Sequence, residues 1–139
     1  MINIITNREM KLNSQLRNSS LVKGNLNINE ADKSEKYLFI KVGYSTVKVN
    51  FNEIKYIEGL KDYIKIFVKD KSIITKSTIK HAENKLPLGL FTRIHKSYII
   101  SIDKIDKIEY NHVFIGEKKI PIGMQFRDTF YRIIDYYRL

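Results

Sequence analysis

From residue 37 onward, apolar residues fall in short runs separated by polar, turn-forming groups. Residues 37–42 and 46–50 flank Gly43-Tyr44-Ser45, a hairpin-like spacing. Residues 54–58 and 63–68 form a second pair around Gly59-Leu60-Lys61-Asp62, and Asp70-Lys71 makes a tight turn into 72–75. The period then changes. Over residues 77–86, Ile79, Ala82 and Leu86 share a helical face, with Ser77 or Thr78 as N-cap and Pro87 as the stop. Strand character returns at 90–94, 105–110, 113–115 and 119–122, with turns at Asn111-His112 and Gly116-Glu117. After Gly123, Phe126, Phe130, Ile133 and Tyr137 follow helical spacing and are expected in the core. Tyr56-Ile57 and Tyr98-Ile99-Ile100 are expected there too. The fold predicted is mainly β, with one internal short helix and a C-terminal helix.

One interruption stands out in Phe91-Thr92-Arg93-Ile94-His95-Lys96-Ser97-Tyr98-Ile99-Ile100. A half-buried strand alternates apolar and polar residues, so the unbroken triple His95-Lys96-Ser97 breaks the period. Such a break marks a turn, or side chains offered to a partner. Residues 1–35 behave differently: they are rich in Asn, Ser and Lys and show no settled period. They read as a linker or tail with a possible helical turn at 8–16, and residues 36–139 read as one folded domain.

Charge narrows the choice of partner. The chain of 139 residues carries 25 Lys and Arg against 15 Asp and Glu, a formal +10. Residues 1–35 hold five basic and four acidic groups, so the remaining +9 belongs to the folded part. A field of that sign attracts polyanions. Cysteine is absent, which removes disulfides, thiolate zinc sites and cysteine nucleophiles and fits a reducing compartment. No apolar run approaches the ~18–20 residues of a membrane span, and Met1-Ile2-Asn3-Ile4-Ile5-Thr6-Asn7 is too short for a signal peptide. A soluble, cytoplasmic chain is expected.

Catalysis finds no constellation. His81, His95 and His112 fall on a helix, a turn and a hairpin tip, without metal-ligand spacing. Glu53, Glu58 and Asp62 lie among Lys55, Lys61 and Lys65 as solvated surface charges, and no glycine-rich phosphate loop exists. A non-enzyme without cofactor or metal is expected. Nucleic acid fits better: Lys and Arg at phosphates give salt-sensitive affinity, and polar side chains at base edges give specificity. Three turn regions offer such groups: Lys61-Asp62-Tyr63, His95-Lys96-Ser97 and Gln125-Phe126-Arg127. No helix-turn-helix or RNA-recognition signature appears, so a reader of DNA would use loops or strands.

Each candidate has a plainer alternative. His95 either bonds a neighbouring backbone group in a tight turn or faces DNA, the former favoured. Lys96 has long reach and no obvious intramolecular partner. Ser97 is a phosphate ligand or a local turn-capping hydroxyl. Lys61 is a phosphate contact or a solvated charge, while Asp62 would repel phosphate and suits the turn itself. Gln125 has the chemistry to read adenine, yet a polar residue in a first helical turn is common. A competing reading makes the basic face a protein-interaction or anionic-surface module. Single-stranded nucleic acid is a lesser option, because most aromatics are expected in the core.

Three motifs in order carry a resemblance: Ile54-Lys55-Tyr56-Ile57-Glu58-Gly59-Leu60-Lys61-Asp62-Tyr63-Ile64, then the stretch from Phe91 to Ile100, then Ile120-Pro121-Ile122-Gly123. Residues 37–137 resemble the LytTR-type DNA-binding domain of bacterial response regulators. The resemblance implies an elongated fold of small antiparallel sheets whose loops enter the major groove of double-stranded DNA. It implies a transcription factor on paired direct repeats, dimeric on DNA, with contacts from Lys61, Asp62, Tyr63, His95, Lys96, Ser97, Met124, Gln125 and Arg127. A sensor histidine kinase would act only through a receiver domain, for which this chain has no room, so it reads either as the end of a longer regulator with 1–35 as linker or as a stand-alone regulator. Many members carry Arg close behind the position of Gly123, where this chain has Met124 and Gln125; Arg127 substitutes only if it turns outward.

Overall fold

The computed structural model describes residues 36–139. The tail expected at 1–35, with its helical turn at 8–16, lies outside the described residues. Three antiparallel sheets organise the rest. The first is a hairpin of β1 (Tyr37–Val42) and β2 (Ser45–Asn50), turning at Gly43, whose φ of +61° suits glycine. The second holds β3 (Ile54–Leu60), β4 (Tyr63–Val68), β5 (Lys71–Lys76), β6 (Phe91–His95) and β7 (Tyr98–Ser101), in the order β5-β4-β3-β7-β6. The third is β10-β9-β8, from β8 (Lys107–Glu109), β9 (His112–Ile115) and β10 (Lys118–Pro121).

Among the described residues there are two α-helices, α1 (Ile79–Lys85) and α2 (Arg127–Tyr136), the latter entered through a 3-10 turn at Met124–Phe126. Of the two capping residues expected for α1, Thr78 takes the role, its hydroxyl accepting from the His81 N–H at 3.0 Å. Among the described residues, no helix is long and apolar enough to cross a membrane.

The five-stranded sheet is covered on both faces. Ile57, Ile64, Ile66, Phe91 and Ile99 pack with β1, β2 and α1, while Tyr56, Ile94 and Ile100 pack with the three-stranded sheet and Phe130 of α2. Neighbouring residues on a strand point to opposite faces, so Tyr56-Ile57 and Ile99-Ile100 each serve two cores at once. Double coverage also explains why β7, which pairs with both β3 and β6, reads as an unbroken apolar run rather than an alternating strand.

The closing helix differs from its expected face. Phe130 is fully buried, but Tyr137 is 71% exposed and lies beyond the helix end, while Phe126 and Ile133 are only half-buried. The stripe that meets the three-stranded sheet runs through Phe130, Tyr131 and Ile134. Phe126, Ile133 and Tyr137 sit on the flank of the helix, lining a cleft beside α1.

Candidate nucleic-acid interface

The β3–β4 turn consists of Lys61 and Asp62, both exposed, with Lys61 at a φ of 69°. The β6–β7 turn consists of Lys96 and Ser97. Because β3 and β7 are antiparallel neighbours, the last residues of β3 meet the first residues of β7, with Glu58 opposite Tyr98. One further bond extends this pairing into the turn: the Gly59 N–H donates to the Ser97 carbonyl at 2.8 Å. The two turns therefore stand side by side at one end of the five-stranded sheet. Tyr63 follows on β4, 48% exposed and opposite Lys76. The Asp62 carbonyl accepts from Ser77 N–H at 3.0 Å, tying this turn to the entry of α1.

The C-terminal segment arrives at the same end. The Gly123 N–H donates to the Ile94 carbonyl at 2.7 Å, laying the start of the 3-10 turn against β6. A Cβ at Gly123 would stand 3.1 Å from the Phe126 ring and 3.6 Å from both the backbone and the ring of His95. The contact with His95 is ordinary, so a side chain at 123 would crowd only the Phe126 ring. Met124 is 79% exposed beside it. The β8–β9 turn adjoins as well, since the Asn111 carbonyl accepts from Ile122 N–H. That turn comprises Tyr110 and Asn111, one residue earlier than the sequence reading, both with left-handed φ.

The expected site residues do not all stand alike. Neither Lys61 nor Lys96 has a side-chain partner among the described residues. His95 accepts from Ser97 N–H through Nδ1 at 3.1 Å, which places its ring proton on Nε2 and makes it a brace inside the turn. Arg127 is half-buried and spends Nε on the Ile122 carbonyl at 3.2 Å. Gln125 is exposed and lines the cleft between α1 and α2, together with Lys80 and Arg132.

Sequence reasoning passed over Arg93. Its guanidinium donates to the carbonyls of both His95 and Lys96 and pairs with Glu83 of α1. The available signal was a cation two residues before the polar triple, on a strand between Thr92 and Ile94. Glu58 was set aside as solvated, yet it accepts from the Tyr98 hydroxyl at 3.0 Å. Burial, first, and then Glu58 push the Tyr98 phenol above its ordinary range. Burial also raises Tyr56, which stacks on Phe67 at 4.2 Å. Both rings belong to the support beneath the turns.

Among the described residues, no group of histidines and acids is placed to hold a metal ion. A family model for the LytTr DNA-binding domain matches residues 44–135. The chain is similar to sensory transduction proteins LytT from Bacillus anthracis, 27% identical over 92 residues, and Bacillus subtilis, 28% identical over 92 residues. These alignments cover 62% of this chain but 37% and 38% of the relatives, so the chain spans little more than a third of their length. In structure it resembles the LytTr DNA-binding domain of a response regulator from Bacillus cereus, with a TM-score of 0.62 at 17% identity, covering 71% of this chain and 96% of that one. That likeness carries the fold: small antiparallel sheets closed by a C-terminal helix. The match over most of the domain places the chain in the LytTr family of DNA-binding domains, which serve transcription regulation.

Proposed function

We propose that this domain reads double-stranded DNA through the major groove with its turns, as the output domain of a two-component response regulator. The observation that carries the reading is the convergence of the β3–β4 turn, the β6–β7 turn and the segment after Gly123, held together through Gly59–Ser97 and Gly123–Ile94 backbone bonds. Lys61 and Lys96 supply exposed cations without side-chain partners among the described residues, suited to phosphate or guanine. Ser97 and Tyr63 flank them, and Asp62 shapes its turn or accepts from a cytosine amino group. His95 braces the second turn with Nε2–H left to donate. Arg127 offers its terminal nitrogens beyond the Ile122 bond, and Gln125 contacts DNA only where the duplex passes the cleft. Binding to paired direct repeats as a dimer on DNA, and control by a sensor histidine kinase through a receiver domain, extend the same reading.

The test is selection from a random duplex pool at 150 mM salt, where the Debye length is about 8 Å and long-range attraction is largely screened. A short motif repeated at fixed spacing is the expected outcome. Recovery of DNA without enrichment would transfer the basic field to an acidic protein partner or anionic surface.

A further inference from the structure

Beside the His95 brace, the β6–β7 turn is held through its carbonyls by the side chain of Arg93. Arg93 Nε donates to the His95 carbonyl at 3.2 Å, one terminal nitrogen donates to the Lys96 carbonyl at 2.6 Å, and the other to Glu83 Oε1 at 3.2 Å. The pair is mostly covered, with side chains 19% and 18% exposed. The Phe126 ring lies 5.6 Å from the guanidinium carbon. One residue thus touches the turn, α1 and the C-terminal segment.

We propose that Arg93 is a positioning residue for DNA recognition, fixing the backbone that carries Lys96, and that Glu83 keeps it there. The proposal rests on the reading of the turns as DNA contacts. A guanidinium presents its donors in one rigid plane, so two carbonyls bonded to it hold one relative orientation. Lys96 lies between those carbonyls, and its approach to a base edge is set before DNA arrives. Ordering the turn in advance removes a cost otherwise met on binding. Glu83 has a second effect. A bare guanidinium beside a DNA-facing turn would be drawn to phosphate, exchanging specific contact for non-specific attraction. Its carboxylate holds Arg93 inward.

The experiment compares wild type, Arg93→Lys, Arg93→Glu and the exchanged pair Glu83→Arg with Arg93→Glu. Each full chain is titrated with the duplex selected by wild type and with a scrambled duplex, over a range of salt. Arg93→Lys keeps the charge but loses the fork, so affinity for the selected duplex falls about tenfold or more while scrambled binding and the salt slope hold. The exchanged pair regains the ion pair, and with it thermal stability relative to Arg93→Glu alone. An acid at 93 has no donor for the two carbonyls, so specific binding stays lost. Recovery of specific binding in the exchanged pair would make Arg93 a mere tether and overturn the proposal.

A readout without DNA accompanies these titrations. The amide signals of Lys96 and Ser97 shift in Arg93→Lys while those of Ile64 and Ile66 do not; unmoved turn signals overturn the proposal. Wild type that prefers neither duplex overturns the DNA-reading assignment itself. Preference kept in full by Arg93→Lys overturns only the role of Arg93.

Discussion

Lys61 occupies the left-handed region at a φ of 69°, a conformation that costs a residue with a Cβ about 1–2 kcal/mol. Glycine would relieve this strain, offset in part by its greater freedom in the unfolded chain. Lys61→Gly should therefore leave thermal stability unchanged or raise it by up to about 1 kcal/mol, while weakening DNA binding. A variant destabilised by as much as its binding falls would remove Lys61 from the contact set. Lys96→Ala should lower affinity for the selected duplex by about 1–3 kcal/mol if Lys96 meets a base. A phosphate contact would instead weaken all duplexes alike and reduce the salt slope by about 0.9.

Tyr98 gives a pH prediction. Its raised pKa in the folded chain means that the unfolded phenol ionises first, at about 10. Its contribution is full below that value and is lost as pH rises through the folded pKa. The pH dependence due to Tyr98 should thus be flat near neutrality and appear as a loss of stability in alkali, and Tyr98→Phe should blunt the alkaline loss at the expense of the Glu58 bond. An unchanged alkaline melting curve in that variant would exclude Tyr98 as a source.

At the scale of elements, the C-terminal segment depends on a close approach. A Cβ at Gly123 meets the Phe126 ring at 3.1 Å, tighter than ordinary packing. Gly123→Ala should push the Phe126 ring aside while leaving the His95 contact at 3.6 Å ordinary, costing about 1–3 kcal/mol of stability if the ring cannot yield and reducing DNA affinity more than Thr78→Ala does. Loss of the Thr78 cap should cost about 1 kcal/mol and leave binding intact, with melting and titration as the paired measurements.

The hairpins were legible in the sequence because period-two alternation and turn residues are local signals. Residues 37–42 and 63–68 match β1 and β4. The run Tyr98-Ile99-Ile100 was legible as core but not as a strand, because a strand buried on both faces carries no alternation. Rotation of α2 about its axis was not legible either, since the sequence shows apolar residues on more than one flank and only the packed sheet chooses Phe130, Tyr131 and Ile134. Lys61-Asp62 and Lys96-Ser97 were legible as turns, whereas Gln125-Phe126-Arg127 runs from a 3-10 turn into α2 and Arg93 drew no notice. Two of its bonds go to backbone carbonyls, which leave no trace in residue type, and the third reaches Glu83 on the preceding helix, outside the local pattern.

Across the whole molecule, the five-stranded sheet divides the interior into two apolar clusters, one shared with β1, β2 and α1, the other with β8–β10 and α2. Amide exchange should find the central strands β3 and β7 most protected, with α2 opening at lower free energy than the sheet beneath it. Equal protection throughout would mean that both layers unfold as one unit.

The covered sheet also bears on how such a domain can diversify. Central strand positions have neighbours above and below, so nearly every replacement there disturbs packing. The turn residues Lys61, Lys96 and Met124 rest on backbone bonds made by others, and their side chains can be exchanged without repacking a core. If these turns read DNA as proposed, binding preference can be changed by substitution at a few tips without disturbing the packed interior.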